Sequence, residues 1–416
     1  MRTLKALSSI VLVQGLGAGL SLIFFLILTK LLGAEEFGKY VWVISISGII
    51  ALLVQLGLPT SIVKKFAPLS LYKITAPSAL ANTFSIYVLL SIVSCITLLC
   101  ILPYINDFTR YEIAWAVPIG TSLACLAISD AILRSANLGI KAQIASQLIR
   151  NLFLIIGVLL LVLFNNSNVD IYLFLYSATA LLSAIVFLTP LLTLVIKNIS
   201  VSSGGKVVGS NTSHFQVAMS RSIGNHLPIF ITGFFVSPEV LAYLAIAMRL
   251  TAPIIFGVSA SRAYFGAKIN KSIKTSQYSD AYKDYNSAAI FSLVIAMIGA
   301  LFIITITAFL ITFDYGLFEN FSDGEFLIII LCLVSVFRIS LAAFGPVQLV
   351  AILLNCEKFV RNYNLVMLAT LTIGLLIAGI FENIAITATI MLLYGFFVSF
   401  GLWLKIKSIF KKHHNL

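Results

Sequence analysis

Seven charged residues lie inside or beside stretches of sequence that are otherwise apolar, and their types decide what chemistry is open to the chain. Arg249 and Arg338 fall near the middle of two such stretches, while Arg221, Arg150, Arg134 and Lys30 fall nearer stretch ends. A charge facing lipid near the bilayer centre costs at least about 2.5 to 3.5 kcal/mol on insertion scales, so residues of this kind turn towards a bundle interior or a watery cavity. Arg134, Arg221 and Arg262 are close enough to an end to snorkel instead. Asp130 is the one clear acid in this set, four residues before Arg134, where a helix would pair them. It either couples the protein to H+ or Na+ or only neutralises Arg134. Arginines outnumber acids, so internal neutralisation is incomplete. Excess positive charge inside a bundle suits an anionic solute, and the planar guanidinium fork matches phosphate oxygens. Arg249, Arg338, Arg221, Arg150, Arg134 and Lys30 are therefore the candidate substrate-binding residues, and Asp130 the candidate for ion coupling.

Helical spacing arranges several of these on faces. Asp130, Arg134, Asn137 and Lys141 form one stripe; Gln143, Gln147 and Arg150 continue the polar character in the next stretch. Arg221, Asn225, Pro228 and Thr232 share another face, and Gly345, Gln348 and Asn355 are expected to continue the face of Arg338. No catalytic constellation is found. Gly15-Leu16-Gly17-Ala18-Gly19 lies inside an apolar run and follows no strand, so close helix approach explains it better than a dinucleotide loop. The five cysteines read as apolar fillers, and His214 and His226 have no partners at ligand spacing, so no metal site and no bound cofactor is expected.

The elements that must position these residues follow from composition. The 416 residues are 60% hydrophobic and 10% charged, with a mean hydropathy of +1.07. A soluble domain carries roughly a quarter of its residues as charges, so most of this surface must face lipid. A span needs about 20 apolar residues with its backbone paired internally. Twelve can be drawn, at about 9–32, 40–62, 79–102, 113–136, 143–164, 171–196, 215–235, 240–261, 287–312, 326–354, 363–381 and 384–404. Arg2 and Lys5 precede a run too long for a cleaved signal, so the first span is expected to remain as an anchor.

A net charge of +12 would suggest nucleic acid for a soluble protein, but here its distribution matters, and no nucleic-acid partner is expected. Arg2, Lys5, Lys64, Lys65, Lys73, Lys141, Lys197, Lys206, Arg262, Lys268, Lys271, Lys274, Lys283, Lys358, Arg361, Lys405, Lys407, Lys411 and Lys412 fall in alternate loops. The intervening loops hold only Lys30, Lys39 and Arg110, with most of the acids. The positive-inside rule then puts both termini in the cytoplasm, and attraction to anionic lipid accounts for the basic loops.

The segment Lys30 to Tyr40 is a polar turn between the first two spans, with Gly33 and Gly38 shaping it, and Gly233 to Tyr243 echoes it about 203 residues on. Glu36 aligns with Glu239 and Tyr40 with Tyr243. Internal duplication of this kind builds many transporters. It divides the chain into an N-terminal six-helix lobe (1–199), a cytoplasmic linker (200–214) and a C-terminal six-helix lobe (215–416). Pro59, Pro118, Pro228, Pro253 and Pro346 allow bends in the helices.

The stretch from Lys30 to Lys65, containing Leu-Leu-Gly-Ala-Glu-Glu-Phe-Gly-Lys-Tyr and Leu-Gly-Leu-Pro-Thr-Ser-Ile-Val-Lys-Lys, resembles the signature of polysaccharide and O-antigen flippases of the Wzx type. These belong to the multidrug, oligosaccharidyl-lipid and polysaccharide (MOP) exporter superfamily. Leu353-Leu354-Asn355-Cys356-Glu357-Lys358 is similar to the family's short turn after the tenth span. The resemblance implies an all-α polytopic protein, twelve transmembrane helices in two pseudo-symmetric six-helix lobes around a central cavity, without an ATPase domain. It implies translocation of an undecaprenyl-diphosphate-linked oligosaccharide from the cytoplasmic to the outer leaflet of the bacterial inner membrane, with membrane lipids, polysaccharide polymerase and chain-length proteins as further partners. A multidrug or cation antiporter of the same superfamily would want acids rather than arginines in its cavity. A membrane enzyme such as a polymerase or glycosyltransferase would want a large outer loop or a carboxylate cluster, and a scaffold would have no use for buried arginines.

Overall fold

The computed structural model describes residues 2–55, 58–59, 62, 93, 96, 114–135, 139–164, 168–196, 223–313 and 323–414. Among them all regular structure is helical: α1 (Arg2–Gln55), α2 (Ala116–Ser135), α3 (Gly139–Gln143), a π-helical segment Ile144–Ile149, α4 (Arg150–Leu163), α5 (Val169–Ile196), α6 (Pro238–Leu250), a 3-10 turn Ala252–Ile255, α7 (Phe256–Lys274), α8 (Tyr278–Thr312), α9 (Gly324–Ala343), α10 (Val347–Leu353), α11 (Glu357–Ile380) and α12 (Ile384–His414). Residues 223–232 are also helical. Nine helical runs among the described residues are long and apolar enough to cross a membrane. They carry ten of the twelve expected spans, because Gly15–Gln55 runs through the first two. The seventh span is described from residue 223, and the third lies outside the described residues apart from Val93 and Ile96. Arg110, Lys64, Lys65, Lys73 and the linker expected over 200–214 also lie outside them.

The breaks in the helices have local causes. Inside α1, Gly33 adopts φ 76° and ψ 172°, a conformation only glycine enters without strain, and this divides the first span from the second as the polar turn suggested. In the eighth span Pro253 falls in the 3-10 turn between α6 and α7. In the tenth, α9 ends before Gly345, which has φ 62°, and α10 begins after Pro346. That interruption resets the helical register, so Gln348 and Asn355 do not continue the face of Arg338 as expected. The π-helical segment of the fifth span was not anticipated.

The chain forms two compact units. Unit 1 holds Met1–Phe24 and Lys39–His226; unit 2 holds Phe25–Gly38 and Leu227–Leu416. In unit 1, Val54, Leu58 and Ile62 pack on Ala124, Ile128 and Ala131 of α2. Hydroxyls join α2 to α5: Ser122 and Ser177 lie 2.9 Å apart, and both donate to the Pro118 carbonyl. In unit 2, Ile269, Tyr285, Val350, Val360, Leu402 and Phe410 draw α7, α8, α10, α11 and α12 into one apolar cluster. Ser261 and Ser292, 2.6 Å apart and fully buried, tie α7 to α8 through the Ala288 carbonyl. Such small hydroxyl side chains let helices approach closely while leaving no polar atom unpaired. The opposite face of α8, with Ile290, Met297, Ile298, Leu301 and Phe302, is exposed, as expected of a helix side bathed in lipid.

Glycines mark the closest approaches. Within unit 2 the Gly38 position, in the first polar turn, lies against the backbone carbonyl of Pro238, in the turn that echoes it. Of Gly15, Gly17 and Gly19, only Gly17 meets a neighbour, the Cβ of Gln147 in unit 1. A Gly38→Ala chain would have to displace backbone at Pro238, and overpacking of this kind costs about 1–3 kcal/mol. Thermal unfolding in detergent is expected to show that loss for Gly38→Ala and none for Gly15→Ala, whose added methyl meets open space.

Candidate functional site

The α6 helix begins where the sequence says it must. Ser237 caps it, accepting from the Val240 amide at 3.4 Å, Pro238 occupies the first turn where a missing amide hydrogen costs nothing, and Glu239 faces the positive end of the helix dipole. From Leu241 to Met248 every residue is buried, the pattern of a helix surrounded by others. Its last turn carries Arg249, and Thr251 then closes the helix by donating to the Ala247 carbonyl at 2.8 Å.

The α9 helix is capped by Asp323, which accepts from the Phe326 amide at 2.8 Å. Tyr243 joins the starts of the two helices: its hydroxyl accepts from the Asp323 amide at 3.0 Å, and its ring meets Phe326 edge-on with centroids 5.2 Å apart. Further along, Arg338 reaches back to α6 and donates through Nη2 to the Met248 carbonyl, a long contact of 3.5 Å. Arg338 is 7% exposed, and among the described residues its Nε has no hydrogen-bond partner. Three residues earlier on the same helix, the buried Ser335 hydroxyl is likewise unpartnered. Arg249 lies near enough to act on Arg338 as one positive charge on another. The guanidinium carbon of Arg249 sits 4.2 Å from the centroid of the Phe25 ring, on the α1 segment that belongs to unit 2.

Charge is thus concentrated where it is least welcome. A buried ion is several kcal/mol less stable than in water unless it is paired, and the contacts of Arg338, one long hydrogen bond to a carbonyl and the Phe337 ring centroid 5.3 Å away, do not supply a counter-charge. A buried guanidinium with an unfilled donor, and a second guanidinium whose charge acts on it, can receive a group carrying negative charge with oxygens suited to planar forks. Phosphate and diphosphate have that form.

A second cationic place occurs in unit 1. Arg150 opens α4 directly after the π-helical segment. Its Nη2 donates to the Asn151 side-chain oxygen at 3.3 Å, while the Asn151 amide donates to the Gly17 carbonyl at 2.7 Å and locks α4 to α1. The Arg150 guanidinium lies 5.6 Å from the Tyr176 ring centroid, and that ring meets Tyr40 edge-on. The Arg150 Nε is buried without a hydrogen-bond partner among the described residues. A π-helical turn opens the backbone and often accompanies a functional side chain.

The remaining candidates separate. Asp130 and Arg134 form an ion pair at 2.6 Å, with Arg134 about half-exposed; these two are brought together, as their spacing suggested. Lys30 is exposed on the α1 segment of unit 2. Arg221 and Asn137 lie outside the described residues, and of the face proposed with Arg221, Asn225 is exposed while Pro228 and Thr232 are buried. Thr232 and Asn364 are further buried side chains without a hydrogen-bond partner. Sequence reasoning missed Phe25, Ser335, Asn151 and Asn364. Ser335 and Asn151 were within reach of it, being three and one residues from arginines already chosen; nothing near Phe25 in the sequence points to Arg249. Among the described residues no group of three or more His, Cys, Asp or Glu side chains could hold a metal ion.

A family model described as polysaccharide biosynthesis protein matches residues 3–267 of the chain. No curated protein matches it in sequence. Among solved structures it is similar to the lipid II flippase MurJ in an inward closed conformation, with a TM-score of 0.76, 14% identity, and coverage of 97% of this chain and 89% of that one. A multidrug resistance MATE family transporter of the MOP superfamily, inward-facing, gives a TM-score of 0.66 at 14% identity, covering 96% of each chain. A MOP superfamily transporter from Pyrococcus furiosus, for which a reversed polarity of the binding pocket suggests a different function, gives 0.62 at 13% identity, covering 98% of this chain and 96% of that one.

If Arg338 is an unpaired charge awaiting a ligand, removing it relieves the empty protein. Arg338→Met is expected to raise the stability of the purified protein by about 1–3 kcal/mol, the cost of one unsatisfied buried group, read as an upward shift in thermal unfolding without substrate. A fall in stability would show that Arg338 is a structural contact.

Proposed function

Because the chain belongs to the family of polysaccharide biosynthesis proteins, with the fold of MOP superfamily transporters, we propose that it is a flippase for glycans carried on undecaprenyl diphosphate. The observation that carries this reading is the buried, incompletely paired Arg338, whose hydrogen bonding is limited to one long contact with the Met248 carbonyl. Among the described residues no carboxylate lies within ion-pair distance of Arg338, so the missing counter-charge has to arrive with the substrate. A lipid diphosphate supplies it, while its polyprenyl chain stays in the bilayer and its sugars remain in polar surroundings. A multidrug cation would meet repulsion at the same place.

Transport requires that the site hold its ligand differently in its two states, since a ligand shifts an equilibrium only by its differential affinity. Arg249 offers such a difference. Stacked on Phe25 it is held by a cation–π contact worth about 0.5–2 kcal/mol, less than a charge-assisted bond to phosphate at about 1.5–3 kcal/mol. In this reading the diphosphate competes with the ring for Arg249. Arg150, Arg221, Arg134 and Lys30 are further cations that the substrate meets in this reading. Asp130 neutralises Arg134, and coupling to H+ or Na+ would act by competing for that pair. The direction is from the cytoplasmic to the outer leaflet of the inner membrane, with both termini cytoplasmic. Polymerase and chain-length proteins receive the exported units, of which O-antigen repeats are one kind.

Leaflet-resolved translocation of a polyprenyl-diphosphate glycan in proteoliposomes tests this. Arg338→Gln and Arg249→Gln are each expected to slow translocation roughly 10- to 100-fold, the worth of one charge-assisted bond, while inserting normally. Wild-type rates in both variants would reject the cationic site. Transport of small cations by the purified protein, with none of the glycolipid, would make it an antiporter.

A further inference from the structure

Two ladders of aromatic rings run along α11 and α12 in unit 2, and each ends on a lysine. In the first, the Tyr363 ring lies over Gly401 and its hydroxyl donates to the Phe397 carbonyl at 2.6 Å, which joins the two helices. Phe359 stacks on Tyr363 with centroids 5.6 Å apart and planes 8° apart, and the Lys405 ammonium lies 5.4 Å from the Phe359 centroid. In the second, Phe396, Phe400 and Trp403 stack in turn at 5.4 and 5.7 Å, with the Lys407 ammonium 4.9 Å from the Trp403 centroid. Lys405 and Lys407 are two residues apart and so point to different sides of α12.

The first ladder is also a groove. On α12 the residues Phe397, Gly401, Leu404 and Lys405 share one face, and on α11 so do Phe359, Tyr363 and Val366. Phe359, Phe397, Leu404 and Val366 are exposed, on helices that are long and apolar enough to span the membrane. The missing side chain at Gly401 seats the Tyr363 ring and lets the helices close on each other there. Apolar flanks therefore lead along the groove to an ammonium group fixed at its end. Lys358, Arg361, Lys407, Lys411 and Lys412 lie in the same helix ends, against the single acid Glu357. An amphiphile with one phosphate and two acyl chains matches that arrangement.

We propose that this groove is a binding site for an anionic phospholipid of the surrounding membrane, with its phosphate on Lys405 and its acyl chains along Phe397, Leu404 and Val366. Charge complementarity and the exposed apolar flanks identify the occupant. The site differs in kind from the arginines: it is open to lipid, it offers a single point charge instead of planar forks, and the aromatic ladder holds that charge at the level where head groups lie. Here Lys405 has a defined position, whereas an exposed lysine with no ring beneath it wanders.

Native mass spectrometry of the purified full chain, delipidated and then given equal amounts of phosphatidylglycerol and phosphatidylcholine, tests the proposal. The wild type is expected to retain phosphatidylglycerol in preference. Lys405→Gln is expected to lower that retention about fivefold, the share of one cation near an anionic surface, and Lys405→Arg to keep it. Lys411→Gln, the same change of net charge away from the ladder, is expected to leave it unaltered. Equal retention of the two lipids overturns the site. So does an equal loss in Lys411→Gln, which would mean a diffuse charge effect. A Lys405→Gln loss confined to added undecaprenyl diphosphate, with phosphatidylglycerol retained, would assign the groove to the flipped substrate and also overturn it.

Discussion

In hydrocarbon a backbone amide has only its own helix to pair with, and nearly everything else about this chain is arranged around that requirement. Regular helix satisfies it, and departures from regular helix have to be placed where other groups make good the loss. The observed departures sit beside the charges. Arg249 is in the last turn of α6, immediately before the 3-10 turn that contains Pro253. Arg150 is the first residue after the π-helical segment. Arg338 lies two turns before the Gly345–Pro346 interruption. Each break puts a polar side chain and loosened backbone in the same neighbourhood, and a substrate group that needs both finds them together.

Buried polar groups in the two units fall into two kinds. The hydroxyls that join helices are satisfied: Ser122 and Ser177 on the Pro118 carbonyl, Ser261 and Ser292 on the Ala288 carbonyl, Ser45 on the His226 carbonyl. Their work is finished in the folded chain. Among the described residues Arg338, Ser335, Arg150, Thr232 and Asn364 keep polar atoms without a hydrogen-bond partner. Since satisfied hydroxyls show that the fold can pair a polar group where it serves only packing, the unfilled guanidinium donors are in keeping with a ligand from outside the chain. The Asp130–Arg134 pair belongs with the satisfied kind.

Much of this was legible in the sequence because the physics involved is local. Span positions follow from apolar run length, the break at Gly33 from glycine in a polar turn, the Asp130–Arg134 pair from a spacing of four, and the depth of Arg338 from its distance to both ends of its run. What could not be read depends on contacts between distant segments or on backbone detail without a residue signature. The π-helical segment, Ile-Ala-Ser-Gln-Leu-Ile, contains neither proline nor glycine. Phe25 and Arg249 meet only because part of α1 belongs to unit 2. Gly38 was expected to shape a turn, but its role is to admit the Pro238 carbonyl. The face drawn through Arg338 failed because periodicity was carried across Gly345 and Pro346, where the register restarts.

The fold itself does not choose among substrates, since multidrug transporters and a lipid II flippase share it. The choice comes from which charge the protein keeps buried and whether it supplies the counter-charge. A pocket for cations would bury acids and leave them short of partners. Here the incomplete group is a guanidinium. Replacing Arg338 by an apolar residue would relieve the cost of its buried charge, and in the reading proposed above a ligand present only part of the time offsets it. In that reading an anion offsets the charge, and its hydrocarbon chain accounts for a site set in a membrane-spanning bundle.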